Sequence, residues 1–417
     1  YGSWSHYPHY NLDQNLDEIN SFNGIYISHI HPDHCSDLTL KKISKKIPIY
    51  IHSFHTKFLK LKLERLGFQV IEIQNNKRTE ISKNVYLNIL AADNCDPYLC
   101  YKFIGCADLD AKNGSQQIDT ISLIDDGKKV IMNVNDCPFD LAKSTFDTIK
   151  NQYDKIDLLC TGYGGAGPYP QCFENLSLEQ KRIEGEKKKI FFLNQAIKFI
   201  NEIKPTYYFP FAGTYTLTGK ISHLQSLRGV PLVEEAFDFL ENYYSKDKNI
   251  KPLRLNCDQK LDLDDNIYVN KFKRINIDDY KQYIVKYLKD KKLTYEDDSL
   301  PSFDEIYDLS NLAQKRFVDK KLINSVKQNS DLIFKVDSKS LVLGVDNKLK
   351  VINTNEINNY SKKYLTCELD LRLLKKLLLG PKFAHWNNAE IGSHIKFFRH
   401  PNNYERDIHW ALSSFHA

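Results

Sequence analysis

The sequence predicts a layered α/β protein, and three observations predict it. Short runs rich in β-branched and aromatic residues alternate with helical segments from residue 25 to about 211. Asn, Asp, Gly and Lys turns separate these runs, and Asp125-Asp126-Gly127-Lys128 joins two of them as a hairpin. Three imidazoles and a carboxylate are packed into His29-Ile30-His31-Pro32-Asp33-His34, directly after the first run. With 417 residues and 42% hydrophobic content, the chain can bury one large core or two.

In order along the chain, strands are expected at 25–28, 49–52, 70–73, 85–91, 99–103, 120–124, 130–134, 158–161 and 207–210. Ser36 and Asp37 can cap a helix carrying Leu38, Leu40 and Ile43, and the apolar positions of 54–66 recur at helical spacing. Residues 177–203 set Glu and Lys against a face of Ile190, Phe191, Leu193, Ala196, Ile197 and Ile200. Beyond about Gly229 the character changes: helices are expected at 237–244 and 278–291, around a charged, loop-rich stretch at 246–265. Residues 332–351 read as strand, turn, strand, and a helix at 369–379 stops at Gly380-Pro381. Three units are therefore expected: a catalytic domain at 1–230, a mostly helical and loop-rich connection at 231–325, and a small α+β domain at 326–417. The opening at Tyr1 without Met leads to the expectation of a fragment or processed product, truncated upstream.

Composition narrows the function classes. The 58 Lys and Arg nearly balance 53 Asp and Glu, and the net charge of +5 is scattered or held in short clusters such as Lys187 to Lys189. Nucleic acid is not an expected partner. No apolar run approaches the roughly 18 to 20 residues that span a bilayer. Nine Cys contain no C-x-x-C pair, which points to reduced thiols in a cytoplasmic protein. Neither C-x-H nor C-x-x-H, the ligand pairs of a Rieske cluster, occurs.

In an extended segment leaving a strand, His29 and His31 stand two residues apart, project to one side and can reach one metal ion. Asp33 and His34 fall past the turn that Pro32 helps to set and can address a second ion. Asp136 closes the run at 130–136 at the end of a strand.

The stretch Tyr26-Ile27-Ser28-His29-Ile30-His31-Pro32-Asp33-His34 resembles the second motif of the metallo-β-lactamase superfamily. That resemblance implies an αββα metallo-β-lactamase sandwich, here with a C-terminal α+β accessory region, and metals at one edge between two sheets. It also implies an Asp bridging two metals, the place that Asp136 occupies. His29, His31, Asp33, His34 and Asp136 are thus candidate ligands, and Asp33, His34 and Asp136 candidate catalytic groups. Two departures follow. No His occurs between His55 and His223, where the superfamily has a further ligand; Asp93 or Asp119 can stand in there, or serve as an ordinary loop carboxylate. Where another His is usual, this chain has Phe209-Pro210-Phe211-Ala212-Gly213, and His223 reads as a surface residue. One or two metal ions are expected, iron or zinc with manganese as a third choice, because an oxygen-rich donor set shifts preference from zinc toward iron or manganese.

Several segments resemble one branch of the superfamily, the C-terminal half of CMP-N-acetylneuraminate hydroxylase and its bacterial relatives. They are Leu38-Thr39-Leu40-Lys41-Lys42, Ile118-Asp119-Thr120, Val134-Asn135-Asp136-Cys137, Gly164-Gly165-Ala166-Gly167-Pro168 and Pro210-Phe211-Ala212-Gly213. The branch implies oxygen-dependent hydroxylation of a nucleotide-linked or otherwise phosphorylated sugar, with electrons from a Rieske centre expected upstream or in a partner protein. The alternative is a metal-dependent hydrolase of a lactone or phosphoester. A third reading is a binding or assembly module with a degenerate site. Tyr163, Gly164 and Gly165 can bring backbone N–H groups to phosphate or sugar oxygens, or form a tight structural loop. His6, beside Tyr7 and His9, is a candidate substrate contact, and the C-terminal region reads as a core-forming structural domain more than a ligand-binding one.

Overall fold

The computed structural model describes residues 1–96, 98–99, 118–257, 259–264, 267–269, 272–323 and 326–417. Seven strands form one sheet in the order Lys251–Pro252, Tyr207–Ala212, Leu158–Gly162, Val130–Asn133, Thr120–Asp125, Val85–Ala91 and Thr79–Ser82. The first four run parallel and the others antiparallel to their neighbours. Ile25–Tyr26, Ile49–His52 and Val70–Ile73 make a second, parallel sheet.

Strand alternation sorts side chains into layers. Tyr50, Ile73, Leu87 and Ile89 are buried between the two sheets. Leu40, Leu59 and Leu63, on helices Asp37–Lys42 and Phe58–Arg65, cover the outside of the smaller sheet. On the far side of the larger sheet, Phe146, Ile197 and Leu240 come from helices Phe139–Lys150, Leu178–Ile203 and Val233–Tyr243. The result is the expected αββα order of layers.

Local signals account for the helix starts. Ser36 Oγ accepts from Thr39 N at 3.3 Å, and Ser177 forms a reciprocal capping box with Gln180 at the head of the long helix. Among the helices longer than ten residues, two appear where none was expected. In Phe139–Lys150, Leu141, Ala142, Thr145, Phe146 and Ile149 form a buried stripe of helical period. Phe303–Ile323 buries only a narrow stripe that includes Ile306, Ala313 and Phe317 among many charges, which masks its periodicity. The helix expected at 278–291 divides into Ile277–Tyr283 and a π-turn at Ile284–Leu288. From residue 100 onward, the strand expected at 99–103 lies outside the described residues.

The larger sheet takes a strand from Lys251–Pro252, beyond residue 230, because residues 233–243 form a crossover helix that returns the chain to the sheet beside Tyr207. A separate five-stranded sheet follows, in the order Leu349–Asn353, Lys339–Leu343, Asp331–Val336, Tyr364–Glu368 and Lys396–His400. Its core holds Phe317, Phe334, Leu373, Trp386 and Phe415. The loop after Pro170 joins this core: the Phe173 ring stacks on Phe397 at 5.3 Å, and Phe397 N donates to Cys172 O at 2.8 Å. No helix among the described residues is long and apolar enough to cross a membrane.

Candidate metal centre

The centre forms where the two sheets meet at one edge. Strand Ile25–Tyr26 continues as an extended segment, with Ile27 N donating to Tyr50 O at 3.1 Å, and then delivers Ser28 and His29. A turn closed by His34 N and Cys35 N on His31 O, at 3.0 and 2.8 Å, folds His34 back over His29, leaving ring centroids 4.1 Å apart. From the larger sheet, Asp119 precedes strand Thr120–Asp125 and Asp136 follows strand Val130–Asn133.

The donor atoms converge. His29 Nε2 lies 3.0 Å from His31 Nδ1, 3.8 Å from Asp136 Oδ2 and 3.9 Å from Asp119 Oδ1. His34 Nε2 lies 3.3 Å from Asp136 Oδ2 and 3.6 Å from Asp33 Oδ2. Two triads result, His29–His31–Asp136 and Asp33–His34–Asp136, and Asp136 belongs to both. Donors placed about 2.0 to 2.2 Å from a common ion stand roughly 3 to 4 Å from one another, so the spacing and the N/O donor set fit a metal.

Electrostatics support that fit. Burial first, and then repulsion by His34 and His31, lowers the His29 imidazole to about 3, so it is neutral and free to donate a lone pair. Burial likewise lowers His31. Asp119, with a side chain 14% exposed, is pushed up to about 8 by burial and by the carboxylates of Asp136, Asp93 and Asp33. Hydrogen bonding and charge from His34 outweigh burial at Asp136 and hold it low, while Asp136 raises His34 against its own burial. Neutral imidazoles beside crowded carboxylates make a site that a cation completes.

A supporting layer that sequence reasoning missed orients these groups. Ser28 Oγ stands 3.0 Å from His29 Nδ1 and 3.2 Å from His34 Nδ1, which turns both Nε2 atoms toward Asp136. Thr120 Oγ1 donates to Ser28 O at 3.0 Å and lies 2.6 Å from Tyr26 Oη, while Asn135 Nδ2 donates to Thr120 O at 3.0 Å. This network ties both sheets together beside the ligands. Its only signal in the sequence is that Ser28, Thr120 and Asn135 each adjoin a candidate ligand.

The other expected site residues divide. Asp93 is fully buried, accepts from Cys95 N at 3.0 Å and acts on Asp119 through its charge. Tyr163 is buried after strand Leu158–Gly162, with Gly164 against Gly213 and Gly165 against the Phe192 ring, where a Cβ would lie 2.1 Å from Phe192 Cζ. Gly164 is thus required by close backbone packing, whereas at Gly165 the contact is with the end of a side chain. His6 is exposed on the N-terminal segment and joins neither triad. His223 is exposed and its Nδ1 lies 2.8 Å from Lys220 O. His385, from the C-terminal region, comes near enough to His31 that burial and then that imidazole lower it, an approach no local spacing could reveal.

No family model matches the chain. It is 26% identical to a cytidine monophosphate-N-acetylneuraminic acid hydroxylase of Danio rerio over 209 residues, covering 48% of this chain and 31% of that protein. The chain spans about a third of the length of the curated relatives it matches. Among solved structures it is similar to a diiron β-hydroxylase from Streptomyces venezuelae, with 15% identity, 60% of this chain and 47% of that one covered, and a TM-score of 0.38. It is also similar to a metallo-β-lactamase-fold protein of Bacillus subtilis, with 10% identity, 56% and 75% coverage, and a TM-score of 0.31.

Proposed function

Taking the chain as a metallo-β-lactamase-like protein, we propose that it is a metal-dependent enzyme of the hydroxylase branch, acting on a nucleotide-linked or otherwise phosphorylated sugar. The observation that carries this reading is the donor set around His29, where Asp136 and Asp119 stand 3.8 and 3.9 Å from Nε2. Asp119, a carboxylate where the superfamily usually places an imidazole, favours iron over zinc. The curated relatives, named as hydroxylases of a cytidine monophosphate-linked sugar, support the same branch.

In this reading His29, His31 and Asp136 hold one ion, and Asp33, His34 and Asp136 hold a second, with Asp119 as a further oxygen donor. Iron bound there supplies the redox centre for oxygen chemistry. Ser28 fixes the tautomers of His29 and His34, since its hydroxyl oxygen can accept from both Nδ1–H groups and leave both Nε2 lone pairs for a metal. Asp33, whose Oδ2 stands 3.6 Å from His34 Nε2, holds or passes a proton at that oxygen. Electrons come from a Rieske-type donor, supplied by a partner or by another part of a longer protein.

The test is isotopic. With iron, a reductant and a cytidine monophosphate-linked sugar, the product is expected to carry oxygen from labelled dioxygen. Full turnover under anaerobiosis, with label entering only from water, would replace this reading with the hydrolase.

A further inference from the structure

Parallel strands Val130–Asn133, Leu158–Gly162 and Tyr207–Ala212 end at the same edge, so the loops after them border Asp136. Gly162 packs on this approach: a Cβ there would lie 3.3 Å from Asn135 O. One loop continues through Gly164-Gly165-Ala166-Gly167, and another reaches Tyr215, whose hydroxyl is close enough to Asp33 to feel its charge. Next to Tyr215 lies a feature that the metal centre does not use.

Arg228 is 2% exposed, yet its Nε and Nη1 have no hydrogen-bond partner. Its guanidinium sits 4.6 Å from the centroid of the Tyr215 ring, which stacks on Trp4 at 4.1 Å. Lys188, on the long helix, is near enough for its charge to oppose that of Arg228. Close backbone approach brings the two cations together. Gly229 has φ +61°, and a Cβ on it would lie 2.8 Å from Gly185 O and 3.1 Å from Lys188 Cβ. Lys188 Nζ donates to Tyr169 O at 2.9 Å and would stand 3.8 Å from a Cβ on Gly167. The backbone N–H groups of residues 164–167 donate to no group among the described residues.

Two cations share this interior without a carboxylate partner: neither forms an ion pair among the described residues. Glu234 is a buried competitor, since it and Arg228 both act on Tyr163; its Oε1 accepts from Ile275 N at 2.7 Å, its Oε2 has no hydrogen-bond partner, and it forms no ion pair with Arg228 among the described residues. Burying a guanidinium without a counter-charge is costly, and a molecule that brings an anion recovers that cost on binding. Two positive charges, with Lys188 Nζ against Gly167, suit a dianion with three acceptor oxygens better than a carboxylate with two.

We propose that Arg228 and Lys188, with the loop 164–167, form a phosphoryl-binding pocket beside the metal centre, which holds a phosphate group of the substrate. The inference rests on the enzymatic reading for the words "of the substrate" alone, because anion binding is measured without turnover.

The probe is inorganic phosphate, titrated calorimetrically into metal-loaded protein, with acetate at equal ionic strength as the control. Wild-type protein is expected to bind phosphate and not acetate. Arg228→Gln and, separately, Lys188→Met are expected to weaken binding at least tenfold while metal content stays unchanged. His31→Ala is expected to keep phosphate binding within about twofold. If Arg228→Gln fails to fold, Lys188→Met alone decides. No phosphate binding by wild-type protein, equal binding of acetate, or wild-type affinity in the Lys188→Met variant would overturn the pocket. So would loss of binding in His31→Ala, which would place the anion on the metal. None of these results bears on the source of the product oxygen, so the pocket and the hydroxylase reading fail separately.

Discussion

Asp119 and Asp331 are both enclosed carboxylates, and the contrast between their surroundings separates a site from a scaffold. Asp331, 1% exposed in the C-terminal sheet, accepts from Val345 N at 2.7 Å and from Tyr360 Oη at 2.5 Å. Its neighbours are donors, so its charge is met inside the fold. At Asp119, burial first and then the carboxylates of Asp136, Asp93 and Asp33 push it up to about 8, against the opposing charge of His34. A buried carboxylate therefore marks chemistry where like charges crowd it. Arg228 obeys the same rule with the sign reversed.

This contrast can be broken first at the metal centre. Asp136→Ala removes the ligand common to both triads, and turnover is expected to fall at least about a thousandfold, beyond the 10- to 100-fold typical of losing an outer-shell partner. Elemental analysis should show matching loss of metal. Asp331→Ala is the counterpart: it strands the Val345 N–H and the Tyr360 hydroxyl and should cost roughly 3 kcal/mol in denaturant unfolding. Metal content should not change. If Asp331→Ala lost metal while Asp136→Ala kept it, the two regions would have been assigned the wrong way round.

Ser28→Ala sharpens the comparison at the supporting layer. It removes the hydroxyl that turns His29 and His34, and competition with a chelator should register a 10- to 100-fold drop in metal affinity. The smallest effect concerns pH. In metal-free protein, Asp119 keeps a proton up to about 8 that the unfolded chain releases near the ordinary value of 3.8. The folded state binds more protons within that window, so stability should fall as pH rises through it and level off above about 8. Thermal unfolding of chelated protein should show this slope, and Asp119→Asn should flatten it. An unchanged slope in the variant would remove Asp119 as its source.

Much of this architecture was legible in the sequence because its signals are local. The strands Ile49–His52, Val70–Ile73 and Val85–Ala91 follow from their β-branched and apolar runs, and Ser177 announces the helix it caps. The motif His29–His34 announces itself by composition alone. What stayed hidden depends on distant pairing. Helix Phe303–Ile323 carries its stripe diluted by charge, and Lys251–Pro252 is a strand only because Tyr207–Tyr208 offers an edge. At the site, Ser28 has no feature of its own until the turn brings His34 back over His29. His385 and Arg228 lie far along the chain from the residues they approach, and no spacing rule connects them to the centre.

The central claim is that the edge holding His29, His31, Asp33, His34 and Asp136 binds a metal. The most direct measurement is metal stoichiometry in the purified chain, by elemental analysis, for wild type, His31→Ala and Asp136→Ala side by side. The account predicts one to two equivalents in wild type, dominated by iron, with loss in His31→Ala and deeper loss in Asp136→Ala. Substoichiometric metal in wild type, or content unchanged by both substitutions, would contradict it.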